Sequence, residues 1–225
     1  MSRILGVGIN DADYAVQKNI RTGTNAFGKP TYKMIWICPY YKLWRSVIVR
    51  CYSSNIKNAN VYENSTVCED WLKFSVFREW VLDKPIGEGM ALDKDILISG
   101  NKMYSPQTCA FVPTRVNSLL TCFKSDKGAF PVGVSARKNS ENFIARIHDG
   151  SGDRESVYLG SYATPEQAHF AWQTAKANVI DNTVQWWKFD PTVNHSFRDD
   201  LAEALWTRAD KLRQDMKDKV ETTYL

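Results

Sequence analysis

The sequence lacks the features that mark membrane, secreted and several common enzyme classes. No uninterrupted apolar run approaches the roughly 20 residues that a membrane helix needs, so we expect no membrane partner. The N-terminus becomes polar too early to form the apolar core of a signal peptide. The motifs of serine hydrolases (GxSxG), P-loop proteins (GxxxxGK[ST]) and zinc peptidases (HExxH) are missing, which argues against these classes.

Histidine is scarce and cysteine is widely spaced. The three histidines are His148, His169 and His195, and their scatter gives no sign of a three-histidine metal site. The five cysteines include no CxxC pair, which argues against a structural zinc site of the common type. An odd cysteine count also fits a reducing cytosol better than a disulfide framework.

The charge balance is mildly basic, with 29 Lys and Arg against 25 Asp and Glu in 225 residues. A net charge of +4 permits a nucleic-acid partner without demonstrating one. Residues 114–148 alone contain six Lys or Arg and two Asp or Glu, so this segment carries +4. The concentration favours a DNA-contacting surface there, and the alternative is the solvated edge of a small sheet.

The first half of the chain predicts a loop-rich start followed by helices. Residues 1–33 are rich in Asn, Gly, Thr and Asp and predict a strand-poor extension with a turn at 27–30. Apolar spacing predicts helices over 40–54 and 69–82. Residues 91–120 predict a strand, a loop, a second strand and a short helix.

The second half predicts a small sheet and two helices. Three short strand-like runs separated by turns fill 131–162. A helix over 163–180 follows, with Thr164 as its N-cap and Pro165 at its first position. A last helix over 196–220 has an apolar face that predicts packing within the chain or a homodimer.

A first resemblance to a known family covers about residues 40–120. The residues that carry it, in chain order, are Trp44, Cys51, Cys68, Trp71, Phe74, Phe77, Leu92, Asp93, Asn101, Tyr104, Ser105, Pro106, Cys109 and Asn117. This order resembles the phage-encoded HNH-type endonucleases of the homing kind, which carry a ββα-metal motif. The resemblance implies a nuclease module at 34–122 that hydrolyses DNA with one Mg²⁺ or Mn²⁺ in the cytoplasm of an infected bacterium.

The same resemblance assigns roles to individual residues. Asp93 and Asn117 are the implied metal ligands, one anionic and one neutral oxygen donor, as Mg²⁺ prefers. The general-base histidine of the family is Lys94 here, and its middle asparagine is Thr108. A lysine is protonated at neutral pH unless burial lowers its pKa from about 10.4. Three outcomes stay open: a slow site, a site that uses Asp95 as base, or an inactive one. Without the surrounding match, Asp93 to Asp95 would be an ordinary solvated turn.

A second resemblance begins where the first one ends. The stretch from Tyr158 to Ala168 resembles the APETALA-type DNA-binding domain, a three-stranded antiparallel sheet backed by one helix. It implies a DNA-binding module at 128–182 whose exposed sheet face enters the major groove. Phe143 or Ile144 replaces the family's strand tryptophan, so its base specificity cannot be carried over. The candidate DNA contacts are Arg45, Arg115, Arg137, Lys138, Arg146 and Arg154.

Together these observations predict an α+β chain with an N-terminal extension, a degenerate HNH module, the sheet-and-helix module and a helical segment at 183–225. The leading hypothesis is a metal-dependent DNA endonuclease or nickase. The first rival is a catalytically inactive, regulatory DNA-binding protein on the same scaffold. The second is a phage protein that binds a host protein through this scaffold.

Overall fold

The computed structural model describes residues 2–55, 62–121, 129–148 and 156–223, and within these ranges the chain is α+β. The strands are β1 (Ser2–Ile4), β2 (Gly8–Asn10), β3 (Gln17–Thr24), β4 (Pro30–Ile37), β5 (Thr66–Val67), β6 (Met90–Asp93), β7 (Met103–Tyr104), β8 (Ala110–Pro113), β9 (Val134–Ala136), β10 (Phe143–Ile147) and β11 (Val157–Tyr162). The α-helices are α1 (Pro39–Tyr52), α2 (Phe74–Val81), α3 (Thr114–Thr121), α4 (Pro165–Phe189) and α5 (Asp199–Thr223).

The chain divides into two compact units. Unit 1 comprises Met1–Ile86 and Gly100–Cys109, and unit 2 comprises Gly87–Ser99 and Ala110–Leu225. This division separates α1 and α2, in unit 1, from β6, β8 and α3, in unit 2. The nuclease module over 34–122, which the resemblance implies, therefore draws on both units and stays a prediction.

Aromatic side chains form the core of unit 1. The predicted helix over 40–54 is confirmed as α1, and its Trp44 indole is fully buried and donates to the Trp71 carbonyl oxygen at 2.7 Å. The Phe77 ring of α2 packs edge-on against the Trp71 ring with centroids 4.9 Å apart. The predicted helix over 69–82 begins later than expected, because Lys73 is extended and separates a 3-10 turn from α2.

The prediction of a strand-poor extension over 1–33 was wrong. β1 pairs with β2, and β3 and β4 form a long antiparallel hairpin whose turn lies at the predicted 27–30. All side chains of β3 are exposed, so neither face of the strand needs apolar residues. The alternation of apolar and polar residues that identifies a half-buried strand is therefore absent from β3.

Unit 2 begins with the predicted order of strand, loop, strand and helix. β6 and β8 are antiparallel, with Asp93 opposite Ala110, and α3 starts directly after β8. The strands β9, β10 and β11 form the predicted three-stranded antiparallel sheet. The helix α4 lies against it, and the Thr164 hydroxyl accepts the Gln167 N–H at 3.2 Å as the predicted N-cap.

One apolar core joins the elements of unit 2. Its buried side chains come from the strand pair and α3, from β10, and from both long helices, including Val112, Val116, Ile147, Trp172, Ile180, Leu201 and Leu205. The C-terminal helix α5 packs along α4, which confirms the packing predicted for its apolar face. The loop after β6 belongs to the same core through buried Ile96.

Replacing Gly133 by alanine should destabilise unit 2 by about 2–4 kcal/mol. Gly133 has φ +81, where a β-carbon is strained, and that β-carbon would lie 2.0 Å from Trp172 Cδ1. Urea denaturation followed by tryptophan fluorescence measures the loss. Gly89→Ala is the matched control, because Gly89 has φ +78 but no atom within 4 Å of the added carbon. Equal losses in both variants would show that the contact with Trp172 contributes nothing.

Candidate functional site

The loop after β6 is built around the carboxylate of Asp93. Asp93 Oδ1 accepts the backbone N–H of Asp95 at 2.9 Å and that of Ile96 at 2.6 Å. Burial raises the pKa of Asp93, the charge of Asp95 raises it further, and the two N–H donors and Lys94 oppose this rise. Asp93 is therefore a buried carboxylate at a strand end that also holds the turn following it.

Lys94 and Asp95 form an ion pair in this loop. The Lys94 ammonium lies 3.1 Å from Asp95 Oδ2, and Lys94 is only 8% exposed. The three consecutive residues Asp93, Lys94 and Asp95 thus form one charged cluster rather than a freely solvated turn. A cation that contacts a carboxylate thus occupies the position for which the resemblance implies a general base.

Arg208 of α5 holds the loop through hydrogen bonds, and this role was not among the sequence-based predictions. Its guanidinium donates from Nη2 to the carbonyl oxygens of Asp95 and Ile96, the second at 2.9 Å. Burial lowers the pKa of Arg208, while Asp93 and Asp95 favour its charged form. Arg208 and the loop are more than a hundred positions apart in the chain. The sequence does not indicate such a contact, because a charged residue on the polar side of an amphipathic helix normally faces water.

The helix α3 carries the other predicted ligand. α3 packs against both β6 and β8, and Asn117 is half-buried on it. The guanidinium of Arg115, a predicted DNA contact, lies 4.8 Å from the centre of the Trp186 ring on α4. This cation–π contact keeps the charge of Arg115 and ties its side chain to α4.

Thr108 belongs to unit 1, whereas the other four predicted catalytic residues belong to unit 2. The Thr108 hydroxyl donates to the Met103 carbonyl oxygen at 2.8 Å and lies 3.0 Å from Ser105 Oγ. These contacts close the turn between β7 and β8. They give Thr108 a local structural role in the place where the family has an orienting asparagine.

The open face of the three-stranded sheet carries part of the predicted DNA contacts. Arg146 is exposed on β10, and its guanidinium lies 5.7 Å from the centre of the Tyr158 ring, the residue opposite it on β11. Arg137 and Lys138 are exposed just after β9, where the Arg137 N–H bonds to the Asn142 carbonyl oxygen. Arg146 therefore lies on the strand itself and Arg137 and Lys138 lie at the end of β9, whereas Arg154 lies outside the described residues.

A cavity of about 340 Å³ lies between the sheet and α4. Its lining residues include Arg146, His148, Trp172 and Lys176. Lys176 is 1% exposed, which is unusual for a lysine. Lys176 falls inside the helix predicted over 163–180, and helical spacing alone does not indicate that it is buried, because a lysine in an amphipathic helix normally faces water.

The remaining predicted contact, Arg45, lies in unit 1. It is exposed on α1, beside the stripe of buried side chains that includes Trp44 and Ile48. Arg45 keeps the solvated position that the helical spacing predicts. Its availability for a phosphate contact is consistent with the prediction and does not test it.

The side chains around Asp93 suit a hard divalent cation in donor type. A buried carboxylate whose pKa is raised by burial and by a second carboxylate gains stability from an added positive charge. Within the described ranges, no group of three or more His, Cys, Asp or Glu side chains is placed to hold a metal ion. Mg²⁺ is commonly held by one or two carboxylates, with water and phosphate as its other ligands. Asp93 and the Asn117 amide therefore stay the candidate donors.

Comparison with family models, with curated proteins and with solved structures finds no match to this chain. Among the described residues, no helix has both the length and the apolar character needed to cross a membrane.

Proposed function

We propose that this protein is a DNA-binding, HNH-like endonuclease or nickase of the homing type that hydrolyses phosphodiester bonds with one divalent metal ion. The observation that carries the proposal is the order of elements around Asp93. β6 pairs antiparallel with β8, α3 follows at once, and Asp93 ends the first strand. This order supports the ββα reading, with Asp93 on the first strand and Asn117 on the helix.

The proposed roles follow from the chemistry of each side chain. Asp93 and Asn117 would hold the cation, which when bound supplies charge stabilisation at the leaving oxygen. The Lys94 ammonium adds positive charge where a scissile phosphate would lie. Asp95, 3.1 Å from that ammonium, is the neighbouring carboxylate that could accept a proton from the attacking water.

One observation favours the rival function, a DNA-binding protein with an inactive centre. Lys94 replaces the family's base, and its pairing with Asp95 also engages the substitute base. Incubating supercoiled plasmid with the protein and Mg²⁺ or Mn²⁺ distinguishes the two functions. Nicked product that disappears with chelator supports the nuclease, whereas duplex binding without nicking supports the rival.

Duplex DNA binding should weaken steeply with salt. The +4 segment over 114–148 suggests about four phosphate contacts, and each contributes about −0.9 to the slope of log K against log salt. We expect this segment to contribute about −3 to −4 to the slope measured by fluorescence anisotropy. Arg146→Ala and Arg137→Ala should each make this slope shallower by about one.

The control for this prediction removes the same charge elsewhere. Lys211 is exposed on α5, and Lys211→Ala should leave the salt slope unchanged. If binding is independent of salt, or if all three variants change the slope equally, the sheet face is not the DNA-contacting surface.

A further inference from the structure

The β3–β4 hairpin is an arm with two open faces and two open edges. Among the residues that the structure describes, its two strands form a sheet of their own, so each is an edge strand there. At its base, the Cys38 N–H donates to the Val16 carbonyl oxygen at 2.8 Å, and both side chains are buried. All side chains of β3 are exposed, and those of β4 are exposed or half-buried.

This arm exposes more large apolar side chains than the stability of an isolated hairpin explains. The exposed residues of this kind are Ile20, Phe27, Tyr32, Met34, Ile35 and Trp36. A two-stranded hairpin with solvent on both faces is at best marginally stable in water. Apolar and aromatic groups gathered on such an element indicate a surface that contacts a partner.

The charge of the arm defines the chemistry of that partner. Lys18, Arg21, Lys29 and Lys33 lie on the hairpin or its turn, and no Asp or Glu occurs anywhere in residues 14–62. That stretch holds eight Lys or Arg, so the surrounding chain provides no compensating carboxylate. The partner is therefore polyanionic. A second copy of the arm would bring cation against cation, which disfavours self-association.

The strand register spreads the cations over both faces. Lys18 is opposite Trp36, with the ammonium 5.8 Å from the ring centre, and Ile20 is opposite Lys33. The pair next to Ile20 and Lys33 is Arg21 and Tyr32, and alternation along a strand turns it to the other face. A protein docking on the arm would cover one face, whereas a groove of duplex DNA has phosphates on both sides.

The tip of the arm is held in a defined shape. The Asn25 side-chain oxygen accepts the N–H groups of Phe27 and Lys29, each at 3.0 Å, and the Asn25 N–H donates to the Lys29 carbonyl oxygen at 2.8 Å. Gly28 takes φ +74 to complete the turn. This turn leaves the Phe27 ring 88% exposed at the end of the arm.

We propose that the β3–β4 hairpin is a second DNA-binding element, which enters a groove of duplex DNA with Phe27 leading. A two-stranded β-ribbon can enter either groove of duplex DNA, and in the minor groove apolar side chains can wedge between base steps. Register irregularities in both strands make the edges poor templates for pairing with another protein strand. The inference shares its ligand with the proposed function but concerns a different unit of the chain.

The test compares duplex binding by variants of the arm and of the sheet. Arg21→Gln combined with Lys33→Gln should make the salt slope shallower by about two, and Arg21→Lys should preserve it. Phe27→Ala should weaken binding about fivefold or more without changing the slope, because it removes stacking and no charge. Lys73→Gln with Lys211→Gln is the charge-matched control, because both residues are exposed. Circular dichroism checks that each variant is folded.

The outcomes separate this inference from the proposed function. If the arm variants bind like the full protein while Arg146→Ala reduces the slope, the arm proposal is overturned and the proposed function stands. If poly-glutamate competes as well as duplex DNA at equal charge, the arm recognises acidic protein instead and the proposal fails. If the full protein does not bind duplex at low salt, both are overturned. A slope change confined to the arm and sheet variants supports both.

Discussion

Asp93→Ala will abolish metal-dependent nicking while leaving duplex binding largely intact. Asp93 is the one anionic ligand that the proposed cation has, and charge stabilisation by such a cation is worth several kcal/mol. A loss of about 10³-fold or more is therefore expected, because each 1.4 kcal/mol changes a rate about tenfold. Binding should persist, since the cations assigned to it lie on the sheet face and on the arm. Conversion of supercoiled plasmid, alongside anisotropy on a short duplex, measures both properties.

A second substitution separates the metal role from the structural one. Because Asp93 Oδ1 holds the N–H groups of Asp95 and Ile96, alanine also removes the turn and should cost about 1–3 kcal/mol of stability. Asp93→Asn keeps an oxygen for these donors but removes the charge, so it should fold like the natural chain and still fail to nick. Full activity in Asp93→Asn would show that Asp93 only shapes the loop and that the metal assignment is incorrect.

Local signals were enough to predict most of unit 2. The N-cap at Thr164, followed by Pro165, marks the start of α4 through contacts within one turn of chain. Short alternating runs likewise gave β9, β10 and β11, because one face of that sheet is buried against α4 and needs apolar residues. These elements follow patterns that the neighbouring residues fix by themselves.

Local signals did not predict the elements whose bounds depend on long-range packing. The predicted end of α4 at 180 precedes Asp181, Asn182 and Thr183, which are weak helix formers. In the structure Thr183 is buried and Asp181 pairs with Arg213 of α5, so the helix continues to Phe189. The hairpin was missed for the opposite reason, because its side chains are exposed or half-buried and so no apolar alternation marks it.

The candidate site divides in the same way. The position of Asp93 at a strand end follows from the short apolar run before it and could be predicted. Its surroundings could not, because Arg208 reaches the loop from α5 and the Lys94–Asp95 pair depends on how the loop is buried. For Thr108, the motif match predicted a position in the site. It did not predict that the Thr108 hydroxyl closes a separate turn.

Lys94→His is expected to raise nicking, or to create it where the natural chain has none. An ammonium cannot take a proton from water, whereas an imidazole with an ordinary pKa of about 6.5 titrates close to neutral pH. General-base catalysis typically contributes about 10²–10⁴-fold, so even partial repair is visible on supercoiled plasmid. The substitution also removes the ammonium that lies 3.1 Å from Asp95 Oδ2, leaving that carboxylate to orient the imidazole. Initial nicking rates with Mg²⁺ or Mn²⁺, measured between pH 6 and pH 8.5, provide the comparison.

Lys94→Ala distinguishes repair from simple removal of the lysine. If alanine and histidine raise nicking equally, the gain comes from freeing Asp95 as the base, and Asp95→Asn in the Lys94→Ala background should then remove it. If the natural chain nicks briskly and both variants are inactive, Lys94 itself contributes, because its ammonium stabilises charge on the phosphate. If Lys94→His binds duplex DNA and never nicks it with either metal, the geometry around Asp93 does not support hydrolysis and the DNA-binding function takes precedence.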